Sequence, residues 1–156
     1  MKPMRVLSLG WGVQSWTLAA MAALGEIEPV DFAIHADTTH EASATYAHAE
    51  KWTPWLEKRG VHVVTVKPEY PSLLDRFGGV MIPAFTVDNK GNNGVIRRQC
   101  TNKWKIVPVR KYMRSMLSGP PKPGDIQLML GISWDEALRM KASDVQYVTH
   151  EYPLVD

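Results

Sequence analysis

The chain has 156 residues, 45% of them hydrophobic and 22% charged, with a net charge of +2 and one cysteine. This balance excludes a disordered chain and a binder of nucleic acid by bulk charge, and a single cysteine excludes an internal disulfide or a four-cysteine metal site. No apolar stretch approaches the ~20 residues of a membrane helix. The N-terminus shows no secretory pattern, so one cytoplasmic domain over 1–156, with no membrane partner, is expected.

Arg5–Leu9 reads as a short buried strand that ends in Gly10-Trp11-Gly12. Val13, Trp16, Thr17, Ala20, Met21 and Leu24 then fall on one face of a predicted helix, with Gly25 as its stop. Asp31–Ala36 is the second predicted strand. Thr38 and Glu41 have capping-box spacing and are expected to open a helix, which Pro54 should break because an interior proline costs ~3 kcal/mol. Thr53 and Pro54 would then start a short helix running to Gly60. Val61–Val66 is the third strand.

A short helix is expected from Tyr70 to Phe77, and a hairpin excursion spans 84–97 around Asp88–Asn93. Thr101–Leu117 is helical in character and divided by Pro108. A rigid connection, Gly119–Gly124, leads to a fourth strand at Ile126–Leu130, and Val145–Val148 is the fifth. The alternation of strand and helix, with nearly continuous apolar strands, predicts an α/β fold with an open, mostly parallel, doubly wound sheet.

Charge is uneven along the chain. Arg97, Arg98, Lys103, Lys105, Arg110, Lys111 and Arg114 lie between Ile96 and Arg114 with no acid among them. This segment suits a phosphate or sulfate, and equally suits a solvated helix face. The turn Ser8-Leu9-Gly10-Trp11-Gly12-Val13-Gln14-Ser15 lies where a parallel sheet binds anions, at a strand end facing a helix N-terminus. It is not a Walker loop, since no Gly-Lys-Ser/Thr follows. It approaches a dinucleotide fingerprint with Ser15 in place of the third glycine and Asp37 posing as the ribose acid. The loop alone leaves open a nicotinamide site, an adenine-nucleotide site and a structural turn. Trp11 either stacks on a ligand or covers the loop. His35, Asp37, His40 and His48 contain no tight metal-ligand pair, and no metal site is expected.

Five motifs in order resemble the phosphoadenosine phosphosulfate (PAPS) reductase family. They are Ser8–Ser15; Ala36-Asp37-Thr38-Thr39 with Glu41 and Ala44-Thr45-Tyr46; Asn102–Pro108; Gly131-Ile132 with Asp135, Glu136 and Arg139; and Tyr152–Asp156. The resemblance covers essentially the whole chain, and short divergent members from phages and mobile elements are the most similar in flavour. It implies the adenine nucleotide alpha-hydrolase-like (PP-loop) fold. By the resemblance, Ser8, Gly10, Gly12, Val13, Gln14, Ser15, Asp37 and Thr38 would bind the nucleotide. Arg97, Arg98, Lys105 and Arg139 would neutralise its anionic end.

Departures shape the expected chemistry. Gln14 stands where the family's ATP pyrophosphatase relatives carry aspartate, which leans the site towards sulfonucleotides and away from magnesium-dependent ATP chemistry. The reductases' nucleophilic cysteine tail has no counterpart before Asp156, and Cys100 is a weak catalytic candidate in a different place. Ser133 replaces the family's arginine. The resemblance therefore implies an oxidoreductase or transferase of sulfur metabolism that takes PAPS or adenosine phosphosulfate. A thiol-donor protein would be its partner, and a homodimer is one assembly it allows. An ATP-dependent enzyme using magnesium on nucleic acid, and a non-catalytic nucleotide-binding module, are the alternatives.

Overall fold

The computed structural model describes residues 2–68, 85–95 and 101–155. Five parallel strands form the sheet: β1 (Met4–Ser8), β2 (Phe32–Ala36), β3 (Val63–Val66), β6 (Ile126–Met129) and β7 (Val148–Glu151), in the order β3-β2-β1-β6-β7. A separate antiparallel pair, β4 (Phe85–Val87) and β5 (Asn93–Val95), forms the expected hairpin, turned by Asp88 and by Gly91 at φ 81°. The expected helix at 70–77 lies outside the described residues.

Strand alternation sends neighbouring side chains to opposite faces. Leu7, Ala33 and Met129 meet α1 (Val13–Leu24) and α2 (Ser43–Glu57) on one side; Val6, Ile34, Ile126 and Leu128 meet α3 (Val107–Ser115) on the other. Helices thus cover both faces, as the expected α/β class requires. Among the described residues no helix is long and apolar enough to cross a membrane.

Four expectations are corrected. Helix α1 buries Leu18, Ala19 and Ala22, whereas Val13 and Leu24 of the anticipated face are 83% and 60% exposed. Thr38 does not cap a helix: its hydroxyl donates to the Glu41 carboxylate, and α2 starts at Ser43. Pro54 does not break α2, because the helix is held by Trp52, Trp55 and the fully buried Leu56 packed on the core. The fifth strand begins at Val148, since Val145 closes a turn by accepting the Val148 N–H and receiving the Ser143 hydroxyl's hydrogen bond. Gly25, at φ 75°, ends α1 as expected.

The helical stretch after 101 opens with a π-helical turn, Thr101–Ile106, before α3. Trp104 is fully buried and pins this turn, leaving Lys105 on its exposed side.

Candidate functional site

The strand order reverses between β1 and β6. Chain connections leave these two neighbours in different directions and open a crevice beyond their carboxyl ends, the position at which open α/β sheets bind ligands. Two adjoining cavities occupy that edge. The first, about 530 Å³, lies against α3 and is walled by Ile34, Leu128, Val109 and Met113, with Lys105 at its mouth. The second, about 1050 Å³, lies over the glycine loop and is walled by Gly12, Gln14, Ser15, Gly131, Ser133 and Arg139. Six residues wall both: Ser8, Gly10, Ile106, Leu130, Lys141 and His150.

The glycine loop is held from below by its tryptophan. Trp11 adopts φ 59°, in the left-handed region, and is only 7% exposed. Its ring stacks on Trp16 at 6.0 Å and meets His35 and His48 edge-on. Trp11 therefore covers the loop from the core side and does not face a ligand. Gly12 is the N-cap of α1 and supplies no side-chain cap, so the first N–H groups of the helix face the second cavity unpaired within the helix. The Ser15 hydroxyl accepts the Gly10 N–H at 3.1 Å and donates to the Gly12 carbonyl at 3.2 Å, which fixes the bend.

Across the cavity, the loop after β6 is tied to the glycine loop. The Gln14 amide donates to the Ser133 hydroxyl at 2.6 Å and to the Glu136 carboxylate at 2.8 Å. Glu136 also accepts from Arg139 at 2.6 Å. The Gln14 hydrogen bond, reinforced by Arg139, holds the Glu136 carboxyl below its ordinary range, so an acid stands charged beside the glycine loop. Gln14 thus acts as a strut between β1 and β6.

The residues after β2 are arranged differently from those of the loop. Asp37 is buried, and burial alone would raise its pKa. The Thr39 N–H and Tyr46 hydroxyl, 2.7 and 2.9 Å from its Oδ1, with the charges of Lys67 and His35, outweigh that and hold it below the usual value. Asp37 and Thr38 line neither cavity. Glu41 does reach the first cavity, where it pairs with Lys105 at 3.3 Å and accepts from Thr38.

The structure therefore brings together Ser8, Gly10, Gly12, Val13, Gln14, Ser15, Lys105 and Arg139 around one cleft, whose lining does not include Asp37 or Thr38. Arg97, Arg98 and Cys100 lie outside the described residues. Among the described residues no three metal-ligating side chains converge. His35 is spent on the Leu9 carbonyl, His48 sits among Trp11, Trp16 and Trp52, and His40 bonds the Thr38 carbonyl.

Sequence reasoning missed His150, Lys141 and the structural part of Gly131. The signal for His150 was its spacing from Val148: two residues apart on β7, they share a face, and both wall the first cavity. No protein-family model matches the sequence, and no curated protein matches it.

Proposed function

We propose that the protein binds an adenine nucleotide along this edge and acts on a sulfonucleotide in the manner of the PAPS reductases it resembles. The observation that carries the reading is the pair of joined cavities at the strand-order reversal, one between the sheet and α3 and one facing a helix N-terminus. An adenine ring suits the walls formed by Ile34, Leu128, Val109 and Met113. The phosphate and sulfate suit the N–H groups of the glycine loop, with Lys105 and Arg139 supplying positive charge at either side. The first cavity, about 530 Å³, falls in the usual size range for small-ligand sites, ~300–1000 Å³.

Gln14 favours a sulfonucleotide over magnesium-bound ATP. A neutral amide is a poor substitute for the carboxylate that helps to hold magnesium, and this amide is already committed to Ser133 and Glu136. In the proposed reaction a thiolate from a donor protein attacks the sulfur of the sulfonucleotide. An S–S bond forms, the S–O bond breaks with its electron pair going to the phosphate oxygen, and adenosine phosphate leaves. The helix N–H groups and Arg139 stabilise the charge that grows on the leaving phosphate.

Calorimetric titration with AMP, ATP, adenosine phosphosulfate, PAPS and NADH, with and without magnesium, tests this reading. Preference for a sulfonucleotide without magnesium is expected. Magnesium-dependent preference for ATP would replace it with the pyrophosphatase-type alternative, selective NADH binding with a dinucleotide site, and absence of binding would overturn it.

A further inference from the structure

The junction between the two cavities carries a histidine whose hydrogen bonding leaves one nitrogen free for a ligand. His150 Nδ1 lies 2.9 Å from the Lys141 carbonyl oxygen. The Tyr152 hydroxyl donates to that same oxygen at 2.7 Å and accepts the Lys141 N–H at 3.1 Å. The same hydroxyl stands 3.3 Å from Nδ1, but its one proton goes to the nearer carbonyl oxygen; that oxygen only accepts, which assigns the ring proton to Nδ1. In the neutral ring, Nε2 is then a bare acceptor, and it has no protein partner among the described residues. The ring is half-buried, opposite Leu128 in the sheet register, and walls both cavities.

This placement matters because the carboxylate expected to read the sugar is engaged elsewhere. Asp37 is occupied by Thr39 and Tyr46 and reaches neither cavity. In any nucleotide the sugar lies between base and phosphate. With the base in the first cavity and the phosphates over the glycine loop, the sugar must cross the shared junction. Ser8, Lys141 and His150 are the residues there with polar side chains. A hydroxyl donor facing an unprotonated Nε2 is a matched pair, whereas an anion facing it is not.

We infer that His150 Nε2 accepts a hydrogen bond from a ribose hydroxyl, so that the sugar is recognised from β7 and the site distinguishes ribonucleotides from their deoxy analogues. The Lys141 carbonyl and Tyr152 hold the ring in position. The inference rests on the nucleotide reading above and adds the sugar contact to it.

The test compares binding of AMP, 2′-deoxy-AMP and 3′-deoxy-AMP to the wild-type protein and to His150→Phe. The wild-type protein is expected to bind one deoxy analogue about tenfold more weakly than AMP, the loss of one hydrogen bond. His150→Phe is expected to bind AMP about as weakly as that analogue and to lose the preference. Nitrogen-15 shifts of the wild-type His150 ring give a readout that needs no variant. AMP should move Nε2, and the weaker deoxy analogue at saturation should not. Equal binding of all three nucleotides by the wild-type protein, or a preference that survives in His150→Phe, would overturn the sugar assignment alone. Failure of the wild-type protein to bind any of them would overturn the nucleotide reading and this contact with it.

Discussion

A Cβ built on Gly131 would stand 2.7 Å from the Ser15 nitrogen and 2.9 Å from the Gln14 carbonyl carbon. The loop after β6 and the first turn of α1 therefore meet backbone to backbone, and no side chain can give way. Gly12 differs: its Cβ would meet nothing within 4 Å, and its φ of −75° is open to any residue. Gly131 and Gly12 are thus small for different reasons, one for packing and one for the space above it. Gly131→Ala should force the loops apart and cost about 1–3 kcal/mol, the range for overpacking. Gly12→Ala should cost about 0.5–1 kcal/mol, since alanine is a much poorer N-cap than glycine, while its methyl enters the second cavity and weakens nucleotide binding. Thermal unfolding beside calorimetric binding separates the two. A Gly131→Ala protein as stable as wild type would show that the contact relaxes freely. A Gly12→Ala protein with full affinity would move the phosphate away from the loop.

At the level of elements, the order of strands and helices could be read because alternation, glycine stops and short β-branched runs are local properties. The buried face of α1 could not. Val13, Leu18, Ala19, Ala20, Met21 and Ala22 surround the helix with apolar groups, so periodicity admits more than one face. The sheet accepts the face with small residues, Ala19 and Ala22, which let the helix lie close. The candidate site was legible where it lies on one continuous turn, Ser8–Ser15. It was not legible where it depends on register across the sheet, as with His150, or on a side chain turned inward, as with Asp37. The course of α2 through Pro54 is also a tertiary outcome. The ~3 kcal/mol cost of an interior proline is outweighed by Leu56, fully buried, and by Trp52 and Trp55, whose rings pack on Trp16 at 5.1 and 6.1 Å. Pro54 itself is exposed. Pro54→Ala should therefore keep the packing, restore a helical N–H and raise stability by about 1–3 kcal/mol, read as a higher unfolding midpoint. An unchanged or lower midpoint would mean that the proline helps to set the course of the helix.

Across the whole molecule, the cleft lies where two parts of the sheet meet. Strands β3, β2 and β1 lie on one side of the reversal, and β6 and β7 on the other, joined by the β1–β6 ladder and, at the carboxyl edge, by Gln14 and the Gly131 contact. A ligand that fills both cavities touches α1 from one part, β7 from the other, and the π-helical turn above them. Its binding energy then opposes every local opening that separates these elements. At a ligand concentration of ~100 Kd this linkage amounts to ~2.7 kcal/mol, or about a hundredfold slower exchange for amides released only by such opening. Hydrogen exchange with saturating AMP should therefore slow together at 13–15, 130–141 and 148–152, while residues 50–57 of α2, none of which lines either cavity, keep their rate. Protection confined to 13–15 would place the ligand in the second cavity alone. The base would then lie outside the first cavity, and the sugar could not cross the junction at His150. Simultaneous protection on both sides is the result that a nucleotide lying across the strand-order reversal requires.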